Sequence, residues 1–112
     1  MIAETPEPPY VAVIFTSLRT DADDAGYQAM AAEMERLAAA QPGYLGLESA
    51  RGADRLGITV SYWRRAEDAR AWKAVAEHLG AQRLGRERWY RAYRVRVADV
   101  AREYGFARDS MV

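Results

Sequence analysis

The chain has no cysteine, no asparagine, a single histidine and a single lysine in 112 residues. Without thiols, and with one imidazole, one chain cannot assemble the His- and Cys-rich ligand sets of zinc sites, and no disulfide can staple the fold. An excess of either sign of charge is missing too. Sixteen basic residues balance sixteen acidic ones, so no net field draws the protein to nucleic acid or to an anionic membrane. No apolar run reaches membrane-spanning length, and Met1 to Pro9 holds glutamates and prolines rather than the apolar core of a secretion signal. These absences predict a cytoplasmic protein with neither nucleic acid nor membrane as partner, and the lack of cysteine agrees with that compartment. No phosphate loop is present, because Gly43-Tyr44-Leu45-Gly46 lacks its spacing and its lysine. No Gly-x-Ser-x-Gly nucleophile motif occurs either. Any chemistry rests on His78, on carboxylates and arginines, or on a cofactor brought from outside.

The length suits one domain, which buries roughly 65% of the surface its unfolded chain exposes. Half the residues are apolar and 29% are charged, as in ordinary globular proteins. Fifteen of the sixteen cations are arginine and alanine is abundant. That pattern points to a GC-rich bacterial genome and not to a recognition surface.

Pro6, Pro8 and Pro9 predict an extended leader over 1–9. Tyr10 to Leu18 is β-branched and aromatic on both parities, the pattern of a strand covered on both faces. Asp21, Asp23 and Asp24 offer caps for a helix over 24–40, whose Tyr27, Met30, Met34, Leu37 and Ala38 recur at spacings of three and four. Pro42-Gly43 closes it. Leu45, Leu47 and Ser49 alternate with Gly46, Glu48 and Ala50, and Ile58, Val60 and Tyr62 with Thr59, Ser61 and Trp63, so a hairpin follows. Ala69, Trp72, Val75, Ala76 and Leu79 predict a second helix over 66–79, broken beyond it by Gly80 and Gly85. Tyr93, Val95 and Val97 then alternate with Arg94, Arg96 and Ala98 in a last strand.

The order βαββαβ predicts an α+β, ferredoxin-like domain: a four-stranded antiparallel sheet with both helices on one face. The first strand's second apolar face still needs cover, and a second copy of the chain is the simplest one, giving a homodimer.

Three stretches resemble the antibiotic biosynthesis monooxygenase family: Gln41-Pro42-Gly43-Tyr44-Leu45-Gly46; Ser61-Tyr62-Trp63 leading to Trp72-Lys73; and Glu77-His78 continuing through Gln82 and Gly85-Arg86 to Trp89-Tyr90. The resemblance spans about Tyr10 to Tyr104 and leaves 105–112 as a tail. It implies a dimeric α+β barrel, with the C-terminal segment reaching the partner. It also implies either cofactor-free oxygenation of polyphenolic substrates or haem binding with ring cleavage, and the family includes members with no assigned activity. Both active branches use an asparagine on the first strand with a tryptophan and a histidine from the second helix region. Here Thr16 or Ser17 stands near the asparagine's place, and Gln82 stands where the haem-cleaving members would have their histidine.

Within that frame, His78 is the expected base or proton shuttle, or an axial haem ligand. A solvated helix-surface histidine is the plainer alternative. Trp72 and Trp63 are expected walls of a pocket for a small aromatic ligand, or else core. Tyr62 and Tyr27 carry hydroxyls able to orient a substrate oxygen. Arg83, Arg86 and Arg88 beside Trp89 suit a carboxylate clamp, such as one for a haem propionate, or a solvated helix face. The functional expectation is a cofactor-independent monooxygenase; the alternatives are a haem protein and a non-enzymatic ligand-binding dimer.

Overall fold

The computed structural model describes residues 1–108, apart from the side chains of residues 81 and 82. In chain order it holds β1 (Tyr10–Arg19), α1 (Asp24–Ala39), β2 (Tyr44–Arg51), β3 (Leu56–Trp63), α2 (Ala66–His78), a short α3 (Ala81–Leu84), a π-helical turn (Gly85–Trp89) and β4 (Tyr90–Val100). The strands form one sheet in the order β2-β3-β1-β4 with every neighbouring pair antiparallel, which is the expected ferredoxin-like α+β fold.

Local chemistry sets the helix ends. Asp23 caps α1, its side chain accepting from the Gly26 amide at 3.0 Å. The Asp68 carboxylate accepts from the Arg65 amide at 3.2 Å across the first turn of α2. Gly80 takes a left-handed φ of 72° just after α2. The expected break therefore takes the form of α3 and the π turn. Leu79, counted among the apolar positions of the second helix, is instead 46% exposed, because the chain leaves the helix there.

The two parities of each strand have different fates. Val11, Val13, Phe15 and Ser17 of β1 share the helix-side face with Trp63, Ser61, Thr59 and Gly57 of β3 and with Asp99, Val97, Val95 and Tyr93 of β4. On β2 a register shift between Tyr44 and Gly46 leaves Leu45 unpaired. The bulge overturns the simple alternation: Tyr44, and not Leu45, shares the inner face with Leu47. The core gathers on that face, where Trp63 is fully buried among Val11, Ala38 and Ala69, with Val13, Tyr44, Ala66 and Trp72 packed around it. On the outer face the leader is pinned down: the Ala3 amide donates to Glu48 Oε2 at 2.9 Å, and the Thr5 and Tyr10 hydroxyls converge on Glu103. Of the expected tail at 105–112, residues 109–112 lie outside the described residues.

Candidate functional site

A cavity of about 580 Å³ lies between the inner sheet face and the two main helices. It exists because alanines stand where larger side chains would fill the layer. Ala31 and Ala38 of α1 and Ala66, Ala69 and Ala76 of α2 all line it. The sheet contributes the short side chains of Ser49, Thr59 and Ser61 to its floor, with Val13, Phe15, Leu47, Val95 and Val97. Such volume and an apolar lining with few polar groups suit a small flat ligand.

Trp72 supplies one wall. Its ring stacks on Trp63 at 6.0 Å between centroids and 23° between planes. Trp63 is fully buried and absent from the cavity wall. It buttresses Trp72 from behind, with its indole N–H satisfied by Ser61 Oγ at 2.9 Å and Tyr44 set edge-on at 5.7 Å.

At another part of the wall stand Tyr27, Tyr90 and Trp89. Tyr27 rises from the first turn of α1, and the Arg19 guanidinium lies over its ring 3.9 Å from the centroid. Arg19 is buried and is held by Asp24 at 2.8 Å and by the Ala22 carbonyl at 3.0 Å; its Nε has no hydrogen-bond partner among the described residues, leaving the ring face as its neighbour. Arg19 and Arg55 both donate to Asp24, and these bonds, that from Arg55 first, hold its carboxyl below the ordinary range. Trp89 reaches Asp23 Oδ2 through its indole N–H at 3.3 Å, so the cap of α1 also fixes this wall. Tyr90 sits edge-on to Phe15 at 5.4 Å. Burial first, and then the Tyr27 phenol beside it, push the Tyr90 hydroxyl well above the usual phenol range.

Of the residues singled out from sequence, Trp72 and Tyr27 meet in the cavity wall. Ser17 lies on the inner face but beneath the cavity, 2% exposed, accepting from Arg51 Nη2 at 2.7 Å. Thr16 and Tyr62 lie on the outer face, away from the cavity, because their parity is opposite to that of Ser17 and Trp63. The Tyr62 hydroxyl donates to Glu48 at 2.7 Å, and burial followed by that bond pushes its phenol up to about 12. His78 is the last residue of α2, exposed and outside the cavity wall. The side chain of Gln82 lies outside the described residues. Arg83, Arg86 and Arg88 are exposed, and Arg86 reaches the Tyr93 hydroxyl at 3.1 Å. The residues around the cavity do not fit a haem held by His78, since the imidazole takes no part in its lining. Among the described residues no cluster of three His, Asp or Glu side chains is placed to hold a metal ion, and no helix is long and apolar enough to cross a membrane.

Sequence reading missed Tyr90, Arg19 and Arg51. Tyr90 has the opposite sequence parity to Tyr93, Val95 and Val97, yet a register shift pairs it with Arg19 on the inner face. Only the periodicity break around Arg91 hints at this.

No protein-family model matches the chain. It is 48% identical over 109 residues to the uncharacterized protein YqjZ of Bacillus subtilis strain 168, covering 97% of this chain and 95% of that one. Among solved structures it is similar to SnoaB, a cofactor-independent oxygenase from Streptomyces nogalater, with a TM-score of 0.71 at 16% identity over 87% of this chain and 97% of SnoaB. It is likewise similar to a Nitrosomonas europaea protein named "putative antibiotic biosynthesis monooxygenase", with a TM-score of 0.67 at 14% identity over 87% of this chain and 94% of that one. The chain thus belongs to the family of Bacillus subtilis YqjZ and is built on the fold of the antibiotic biosynthesis monooxygenase-type proteins.

Proposed function

We propose that the protein is a cofactor-independent oxygenase of small, flat, electron-rich aromatic molecules of the phenol or quinol class, taken up between sheet and helices. The observation that carries this reading is the 580 Å³ cavity, walled by the Trp63-backed ring of Trp72 and carrying the Tyr27 and Tyr90 phenols. The fold shared with SnoaB supports it by analogy. In the reaction, a substrate CH2 group conjugated with a phenol or enol oxygen becomes a carbonyl. One atom of dioxygen bonds to that carbon, and the other leaves as water with the carbon's two hydrogens. All four electrons come from the substrate, so no external reductant enters. The protein's part is to hold the substrate's ring plane, exclude bulk water and stabilise its ionised form.

Oxygen uptake with a panel of anthrones, whose ring CH2 is conjugated with a phenol or enol oxygen, tests this. The expected result is one dioxygen consumed per substrate, faster than autoxidation and unaffected by chelators or dialysis. Uptake no faster than autoxidation across the panel would sink the reading.

The active unit in this proposal is a homodimer joined through the outer sheet face. There Leu18, Leu56 and Ile58 are 36%, 45% and 44% exposed beside the half-buried Ile14 and Val60. So much contiguous aliphatic surface on a single chain favours cover by a second copy.

A further inference from the structure

Tyr27 and Tyr90 bring phenols to a lining that is mainly apolar and that also carries Glu35, Arg70 and Lys73, and both rings are fixed. Tyr27 is capped by the Arg19 guanidinium at 3.9 Å and flanked edge-on by Trp89 at 6.0 Å and Tyr90 at 5.9 Å. Tyr90 rests on Gly85, where an added Cβ would come within 2.7 Å of the ring, so no other residue leaves the ring in place. The hydroxyl of Tyr27 has a definite polarity. Arg51 Nη2 donates to its oxygen at 3.2 Å and to Ser17 Oγ at 2.7 Å, while Arg51 Nη1 is tied to the Arg55 carbonyl at 2.6 Å. A guanidinium accepts no hydrogen bond, so the phenol's own proton is left free to donate, and a cation on its oxygen strengthens that donor. Tyr90, with its phenol pushed up by burial and then by the Tyr27 phenol to which it hydrogen-bonds, is a donor, not a base, and backs the Tyr27 hydroxyl.

We propose that Tyr27 and Tyr90, with Arg51 and Ser17 positioning Tyr27, form an oxyanion site in the cavity that selects ligands bearing a phenol or enol oxygen and stabilises the ionised oxygen. This rests on the oxygenase reading and extends it: the aromatic walls accept any flat ring, and the two hydroxyls admit the oxygenated one. Phenol donors held in fixed positions favour the anion, which is the form that gives up electrons. Arg51 and Ser17 act through Tyr27 and are positioning residues.

Paired titrations of the full chain with 1-naphthol and with naphthalene test the site, read by quenching of tryptophan fluorescence, since Trp72 and Trp89 line the cavity. The expected result is roughly tenfold or tighter binding of the naphthol. Its bound form should also ionise at lower pH than in water, read from the naphtholate absorption band. Tyr27→Phe and Tyr90→Phe should each shrink the preference and raise the pH of ionisation while leaving naphthalene binding in place. Arg51→Gln should weaken the naphtholate shift more than naphthol binding, a change that a merely structural role would not produce. Equal affinity for the two ligands in the wild type would overturn the oxyanion site and leave the cavity reading standing. Binding of neither would overturn both.

Discussion

The two faces of the sheet share the same strands and differ in what they do. On β3 the inner parity is Trp63, Ser61 and Thr59, while the outer parity is Tyr62, Val60 and Ile58. The more aliphatic set faces away from the helices. On this strand the inner parity gives the cavity a short polar floor and gives Trp72 its buttress, while β1 and β4 turn Val13, Phe15, Val95 and Val97 to the same side. The outer face divides in turn. Near Tyr10 and Tyr62 it is closed by the leader and Glu103, and near Leu56 and Ile58 it is open. The contrast is between an inner face built around a cavity and an outer face whose open part carries the exposed Leu18, Leu56 and Ile58, the surface assigned above to a second copy in the proposal.

The largest break in that contrast is Trp63→Ala. Removing a fully buried ring that stacks on Trp72 and bonds Ser61 should cost about 3–5 kcal/mol in urea unfolding, and the cavity wall should lose its order with it. A loss below about 1 kcal/mol would show that the inner face does not depend on this buttress.

Ile58→Glu addresses the outer face. In a two-fold interface the substitution occurs twice, and each copy buries an unpaired charge. The dimer's Kd should rise on the order of a hundredfold or more, read by light scattering across a dilution series, with naphthalene binding unchanged. A wild-type chain that is monomeric at every concentration would remove the homodimer from the proposal.

The element order and most boundaries were legible in the sequence, because hydrophobic period and caps are local. The expected β1 stops one residue short of Arg19, and the expected α1 runs one past Ala39. What was not legible is the product of register. The shift at Tyr44/Gly46 moves Leu45 out of the inner face, and the shift at Leu18/Arg19 brings Tyr90 into it. Parity alone could not say that Trp63 would point to the helices and Tyr62 away from them, so two adjacent aromatics looked equally suited to a pocket. Arg19 reads in sequence as a solvated charge after a strand, and its role under Tyr27 emerges only when Asp24 and Ala22 fold back on it. The cavity has no local sequence signature, since its cause is five alanines on two separate helices.

A smaller effect separates the faces by pH. Tyr62 on the outer face is raised to about 12 by burial and by its bond to Glu48. A phenol raised on folding stabilises fully below its ordinary value near 10, and that contribution is lost as pH climbs toward the folded value, because the unfolded chain gives up its proton first. Glu48 is held below the usual carboxylate range, first by the Tyr62 hydroxyl and then by the Ala3 amide, and its contribution fades as pH falls. Tyr62→Phe should flatten both limbs of the stability profile measured by thermal melts, leaving 1-naphthol binding unaltered. Loss of naphthol binding in that variant would mean that the two faces are coupled.

The smallest effect is expected from the residue that sequence alone made most prominent. His78 ends α2, is exposed and stands outside the cavity wall. At an exposed helix C-terminus a side chain's interaction with the helix end is worth a fraction of a kcal/mol. His78→Ala should therefore shift stability within about 0.5 kcal/mol and leave naphthol affinity and oxygen uptake where they were. In the proposed site Tyr27 and Tyr90 stabilise the ionised oxygen and the ligand's proton passes to solvent water, so no imidazole is needed as base. A large drop in turnover with unchanged naphthol affinity would make His78 a proton carrier for the reaction, and the chemistry would then extend from the inner face to the exposed end of α2.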